Sequence, residues 1–195
     1  LEELLQPARE VEVEFSFLMD NGKSRKLQGS RVVHRFGPNS GEAAKGGVRA
    51  DDGTVEGIRA LAIDMALKTA VNDLPLGGAK GGIEISPEEL KRLSDAEFAR
   101  MIRAYVKAIM DATWKEHGEV AFSPARDSAA PDVGTGPRPA SAERAKPFVP
   151  MDIFADAILE WYASHDLTVV DTHYAVPEVL RAEHDALARR SAESK

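Results

Sequence analysis

The stretch from Lys45 to Gly82, KGGVRADDGTVEGIRALAIDMALKTAVNDLPLGGAKGG, constrains this chain most. It places a helix-period segment between two glycine-flanked lysines, Lys45 in A-A-K-G-G and Lys80 in G-G-A-K-G-G, with Lys68 near the end of the helical pattern. Glycine beside lysine lets backbone approach a ligand and lets N–H groups join the ammonium in holding an anion. In a chain of net charge −7, three cations in backbone-permissive turns point to a pocket for an anionic small molecule. Desolvation and mutual repulsion would also lower the proton affinity of a lysine in such a pocket, which makes it a candidate acid–base group. Taken singly, a lysine beside glycines is usually a solvated loop residue, and each Gly-Gly pair fits a plain turn; the combination and its spacing point to the pocket.

The 195 residues suffice for one domain with a full core, and 43% hydrophobic with 29% charged residues is a globular composition. The acidic balance argues against a nucleic-acid or anionic-membrane surface. Thiol catalysis and disulfides are excluded because there is no cysteine. No apolar run approaches the roughly 18 residues of a membrane span, and the first residues lack the pattern of a signal peptide, so a cytoplasmic protein is expected. The five histidines, His34, His117, His165, His173 and His184, show no metal-ligand spacing. Asp51-Asp52-Gly53 lacks the spaced ligands and final Glu of a calcium loop.

Along the chain, Leu1 to Arg9 reads as a short helix. Val11, Val13, Phe15 and Phe17 alternate with polar residues, which predicts a strand with one buried face. Asn21-Gly22 predicts a hairpin, with the returning strand over 26–36. A glycine-rich loop is expected over 38–47, and Val55 to Val71 reads as a helix stopped by Asp73, Pro75 and Gly77-Gly78. Ile83 to Ile85 is a short strand candidate. Ser86-Pro87-Glu88-Glu89 and Ser94-Asp95-Ala96-Glu97 are capping boxes, the second opening a long helix with Phe98, Met101, Ile102, Tyr105 and Ile109 on one side. Residues 123–150 read as a long loop or insertion. Met151 to Ser164 resumes a helix with Phe154, Ala157, Ile158 and Trp161 on one face. A strand over 167–170 and a terminal helix over 177–190 complete the reading. Trp114 and Trp161 fall on apolar helical faces, as core or interface residues.

Three segments, AAKGGVR at 43–49, ALKTAVNDLPLGGAKGGI at 66–83 and APDVGT at 130–135, together resemble the N-terminal, substrate-binding and oligomerisation domain of the glutamate dehydrogenases, within the Glu/Leu/Phe/Val dehydrogenase family. The resemblance implies an α/β fold, a three-layer α/β/α domain whose sheet is mostly parallel with an antiparallel N-terminal hairpin. It implies that Lys80 is the catalytic lysine, that Asp132 relays protons, that Lys68 holds the substrate α-carboxylate, and that Lys45 reaches a side-chain carboxylate. Gly46, Gly47 and Met65 join the substrate-binding set on the same ground. Read alone, Asp132 also fits a turn or cap residue after Pro131. Keeping a cation at Lys45 favours a dicarboxylate such as glutamate or 2-oxoglutarate, since a second cation in a dry pocket calls for a second anion.

The resemblance stops short of a cofactor domain. No G-x-G-x-x-G follows a strand, and too few residues follow Trp161 to build a Rossmann unit. The expected organisation is a dehydrogenase-like domain over 1–162 and an unassigned helical extension over 163–195. The chain alone is expected to bind no cofactor, with NAD or NADP implied for the family, and to form a homo-oligomer. Two functions follow: the substrate half of a glutamate-dehydrogenase-like oxidoreductase, or a non-enzymatic dicarboxylate-binding or regulatory subunit that assembles with itself or with a full-length dehydrogenase.

Overall fold

A computed structural model describes residues 6–36, 44–117, 121 and 151–165. The expectations for 123–150, 167–170 and 177–190 lie outside the described residues, as does Asp132.

The N-terminal hairpin forms as its pattern predicts. Strand β1 (Arg9–Leu18) and strand β2 (Ser24–His34) pair antiparallel from Arg9↔Val33 to Leu18↔Ser24. Val11, Phe15 and Phe17 are buried, and Glu10, Glu12 and Glu14 alternate with them. Gly22 turns the chain at φ 77°, a value that an L side chain rarely adopts, and its N–H donates to the Met19 carbonyl at 3.0 Å. The short helix expected before Arg9 is not present over residues 6–8. There the chain already runs alongside β2, with the Ala8 N–H donating to the Val33 carbonyl at 2.8 Å.

The larger correction concerns the glycine–lysine segments. Gly77–Glu84, GGAKGGIE, is not a turn followed by a short strand. All of it is β5, the middle strand of the sheet. It pairs antiparallel with β2, from Gln28↔Glu84 to His34↔Gly78. Its other edge pairs in parallel with β3 (Ala44–Lys45) and β4 (Val48–Asp51), with Ala44 opposite Gly77 and Asp51 opposite Glu84. The two short strands keep one register, so 44–51 is a single line of chain relaxed at Gly46 and Gly47. The sheet is therefore mixed, with its longer pairings antiparallel, where a mostly parallel sheet was expected. The α/β class, the hairpin and the layering hold.

Helix α1 (Val55–Val71) joins β4 to β5 and keeps the bounds the sequence predicts. Thr54 caps it, accepting from the Gly57 N–H, and Asp73 ends it at φ 51°. It lies on one face of the sheet, where Ile58 and Ala62 pack on Val32. Helix α2 (Pro87–Arg92) is a short connector capped by Ser86. Helix α3 (Asp95–His117) covers the opposite face, and helix α4 (Met151–Ser164) packs on α3. The second capping box closes both ways: Glu97 N–H donates to Ser94 Oγ at 3.1 Å, and Ser94 N–H donates to the Glu97 carboxylate at 2.8 Å. The main core, between the sheet and α3, holds every apolar residue predicted on that helix face and on α4. Trp161 is buried at 3% exposure. Trp114, expected as a core or interface residue, is 39% exposed and meets Trp161 edge-on, so it is not part of the core.

The β5 glycines set the distance between layers. None has a positive φ, so conformational freedom is not their purpose. A Cβ on Gly78 would lie 1.9 Å from the Ala66 nitrogen and 2.4 Å from the Met65 carbonyl carbon, both backbone atoms of α1. One on Gly82 would strike Ile58 at 2.7 Å, and one on Gly81 would strike the Tyr105 hydroxyl of α3 at 2.3 Å. That hydroxyl donates to the Ser30 carbonyl at 2.8 Å. Gly78→Ala is expected to destabilise by about 3 kcal/mol or more, because helix backbone cannot step aside as a side-chain tip can. Gly57→Ala, with nothing within 4 Å of its Cβ, is expected to stabilise by about 0.5–1 kcal/mol. Denaturation midpoints of the two variants check this; equal effects would mean that the glycines do not set the layer spacing.

Candidate functional site

Register and burial place the cations. Val32 faces α1 and stands opposite Lys80, so Lys80 faces α1 as well. Gly78, Lys80 and Gly82 share that face by strand alternation. On the neighbouring line of chain, Lys45 is opposite Gly78 and Arg49 is opposite Gly82, which puts Lys45, Gly47, Arg49 and Asp51 on the same face. Val48 and Ala50 point the other way, into the core beneath α3. Lys45 and Arg49 are thus the two diagonal neighbours of Lys80, each at roughly 7–8 Å between Cα atoms. Between them Gly47 stands opposite Lys80 by the continuing register, and a Cβ there would meet nothing within 4 Å. The result is open space bordered by Lys45, Lys80 and Arg49. Gly46 serves a different end: a Cβ would lie 1.6 Å from the Ala79 carbonyl oxygen, so only glycine permits that strand to approach.

Helix α1 brings the third lysine. Its last turns cross β5 at Gly78, with Met65 and Ala66 in backbone contact there, and Lys68 follows one turn later. Lys68 pairs with Asp64 at 3.2 Å, both more than half exposed. Such a surface pair is worth a few tenths of a kcal/mol, so a carboxylate ligand could replace Asp64 at little cost. Lys80 is different in kind, at 9% exposure. Burial pushes its amine below the ordinary lysine value of 10.5, and the cationic Arg49, Arg31 and Lys68 push it further, against an opposing pull from Asp51. The structure therefore brings Lys45, Lys68 and Lys80 to one face, with Gly46, Gly47 and Met65 around them.

Sequence reading did not name Arg49 or Arg31, and it took Asp51 only as part of an acidic turn. Arg49 bonds Asp51 at 2.7 Å, and buried Arg31 donates to the Gly46 carbonyl at 3.0 Å. The signal was present as period-2 alternation in K-G-G-V-R-A-D, but it can be read only once that segment is known to be a strand. An open cleft of about 420 Å3 lies elsewhere, among Glu14, Arg25, Gln28, Glu84 and Glu89. Its charged walls satisfy one another, Arg25 with Glu89 at 2.5 Å and Lys26 with Glu14 at 2.6 Å, which leaves it less suited to an anion than the lysine face. Among the described residues no acidic or histidine group could hold a metal ion, and no helix is long and apolar enough to cross a membrane.

Comparison with known proteins follows the same residues. Residues 7–142 match the family described as Glu/Leu/Phe/Val dehydrogenase, dimerisation domain. Similar curated proteins include the glutamate dehydrogenase of Thermotoga maritima, 39% identical over 137 residues, and the NADP-specific glutamate dehydrogenase of Synechocystis, 38% identical over 135 residues. Each alignment covers 69% of this chain, but only 29% and 28% of those proteins. Among solved structures, the hetero-hexameric glutamate dehydrogenase of Thermus thermophilus in its Leu-bound form is 34% identical with a TM-score of 0.55, covering 84% of this chain and 32% of that one. Glutamate dehydrogenase of Peptoniphilus asaccharolyticus is 27% identical with a TM-score of 0.58, covering 86% and 35%.

The depressed proton affinity of Lys80 has a stability consequence. Between its folded-state value and 10.5 the unfolded chain holds more protons, so this residue makes stability rise with pH across that window. Its burden is full below the window and gone above it. Lys80→Met is therefore expected to stabilise by about 1 kcal/mol at pH 7, with the gain shrinking as pH approaches 10.5. Urea midpoints of both proteins across that range check this; a less stable variant at pH 7 would show that the buried charge is fully compensated.

Proposed function

Given that the chain belongs to the Glu/Leu/Phe/Val dehydrogenase family, by its dimerisation domain, we propose that it is the substrate-binding and oligomerising part of a glutamate-dehydrogenase-like amino-acid oxidoreductase. The reaction is the oxidative deamination of glutamate to 2-oxoglutarate, carried out in the cytoplasm by a homo-oligomer built on the 1–162 domain. The observation that carries this reading is the convergence of Lys45, Lys68 and buried Lys80 on the α1 face of the sheet, around the open space at Gly47.

The roles are those that the family resemblance implies, and for the lysines position and burial support them. Lys68, exposed and lightly paired, takes the α-carboxylate. Lys45, across Gly46 and Gly47, takes the side-chain carboxylate, and the glycines let the substrate lie against backbone. Met65 supplies an apolar wall. Lys80, with its lowered proton affinity, works as the acid–base group. Protonated, it donates to the substrate carbonyl oxygen. Neutral, it accepts the proton of the water that adds to the imine carbon. Asp132 completes the proton relay to the amino group.

The nicotinamide cofactor, NAD or NADP, does not fit on these residues. The 195 residues contain no dinucleotide-binding glycine turn, and the β5 glycines are filled by helix backbone and by Tyr105. A separate domain therefore holds the cofactor, which supplies the hydride acceptor. A second reading is favoured by the Thermus structure, which is described as a hetero-hexamer. In that reading the chain is a dicarboxylate-binding regulatory subunit that assembles with a full-length dehydrogenase and performs no chemistry.

Calorimetric titration of the purified chain with 2-oxoglutarate and glutamate, with NADH and NADPH as controls, tests both readings. Dicarboxylates are expected to bind and nucleotides are not. Lys45→Leu is expected to weaken dicarboxylate binding by roughly 10- to 150-fold, the worth of one charge-assisted hydrogen bond, while leaving monocarboxylic amino acids little changed. Absence of dicarboxylate binding, or equal losses for glutamate and leucine, would sink the assignment.

A further inference from the structure

Arg49 and Asp51 lie on the same sheet face as Lys80, on the adjoining strand, and neither role above uses them. Their ion pair is 2.7 Å long through both Nε and Nη2, and it runs along the strand because the two residues are two positions apart. Arg49, opposite Gly82, is the diagonal neighbour of Lys80. Asp51, opposite Glu84, is two residues further away. Asp51 is itself anchored, its other oxygen accepting from the Gly53 N–H at 3.0 Å and its carbonyl from the Ile85 N–H at 2.8 Å. We propose that the Arg49–Asp51 ion pair is a positioning element of the same site, an oriented dipole laid along the strand with its positive end toward the Lys80 amine. The inference deepens the reading above and rests on Lys80 being its working amine.

The other charges around Lys80 make this pair the adjustable one. Lys68 and Asp64 come from α1 as an exposed pair. Arg31, on β2, is committed to the Gly46 carbonyl. Glu10, on β1, is held by Arg59 at 2.5 and 2.6 Å. Glu84 lies on the far end of β5 and is exposed, and Lys45 borders the opposite side of Gly47. Among the cations, Arg49 acts on Lys80 most, after burial itself, whereas Asp51 acts in the contrary sense. A carboxylate that holds the arginine at a fixed distance sets how much of that positive field reaches the amine. Neither residue need touch substrate.

The test is the pH midpoint of Lys80 reactivity in the full chain. Trace acetylation with acetic anhydride is read peptide by peptide by mass spectrometry, with exposed Lys107 as internal reference. Arg49→Met is expected to strengthen the proton affinity of Lys80 about fivefold, the order of effect of removing one partly screened neighbouring charge. Asp51→Asn, more distant, is expected to weaken it about twofold. Arg49→Lys, which keeps the charge, is expected to stay within twofold of the parent. A merely structural role would alter labelling without splitting the midpoints in opposite directions. Midpoints that move the same way, or an Arg49→Met midpoint that stays in place, overturn the inference. Should Asp51→Asn fail to fold, the contrast between Arg49→Met and Arg49→Lys still decides. Split midpoints in a chain that fails to bind 2-oxoglutarate would leave this inference standing and sink the functional reading; dicarboxylate binding with unsplit midpoints would do the reverse.

Discussion

The close approach of α1 to β5 is the constraint on which the rest depends. Backbone meets backbone at Gly78, where any side chain would collide with Met65 and Ala66, and Ile58 descends onto Gly82. Between those contacts the one long side chain on that face of β5 is Lys80. It leaves the sheet where helix and strand are nearest and is buried by the same contact that holds the layers together. On the reverse side Tyr105 presses on Gly81 and Gly29, so the middle strand is squeezed at one level from both faces. A larger residue at Gly78 would push α1 away from β5 and open Lys80 to water.

Burial and charge then act together. Van der Waals packing hides the ammonium, and strand register sets Lys45 and Arg49 on either side of it. The arrangement costs stability, because a desolvated cation among cations is the less favourable state of a lysine. Such costs concentrate where a group must change protonation in order to work. The glycines therefore do more than pack: by omitting side chains at Gly47 and Gly82 they leave open space on one side of Lys80 and room for the helix on the other.

Much of this was legible in the chain, and the exceptions have physical causes. The hairpin, α1, both caps and the apolar faces of α3 and α4 follow from periodicity and hydrogen-bonding chemistry that act locally. The central strand did not. G-G-A-K-G-G has no alternation to read and low strand propensity, and its extended form is imposed by β2, by the 44–51 segment and by the helices on either face. Reading Lys45 and Lys80 as residues of loops followed from that, and so did missing Arg49 and Asp51, whose shared face exists only once the strand does. Lys45 and Lys80 were marked by their glycine neighbours and Lys68 by its place near the end of the helical pattern, although the glycines serve close approach where backbone freedom was the expected reason. Asp132 and the residues around it lie outside the described structure.

The buried carboxylate of Glu97 does two things at once. One oxygen accepts from the Ser94 N–H and the other from the Asp20 N–H, both at 2.8 Å, while Ser94 Oγ donates to Asp20 and Arg100 donates to the Leu18 carbonyl. The tip of the β1–β2 hairpin is thus fastened to the first turn of α3 through groups that each serve both elements. Neither frays without cost to the other, since releasing the tip takes the Asp20 partners from Ser94 Oγ and Glu97, and unwinding the helix leaves the Asp20 amide without an acceptor. The two ends form a single opening unit, a cooperative patch with one local unfolding free energy. A lesion at Glu97 would therefore be felt at the far end of the hairpin as enhanced amide exchange, well away from the lysine face.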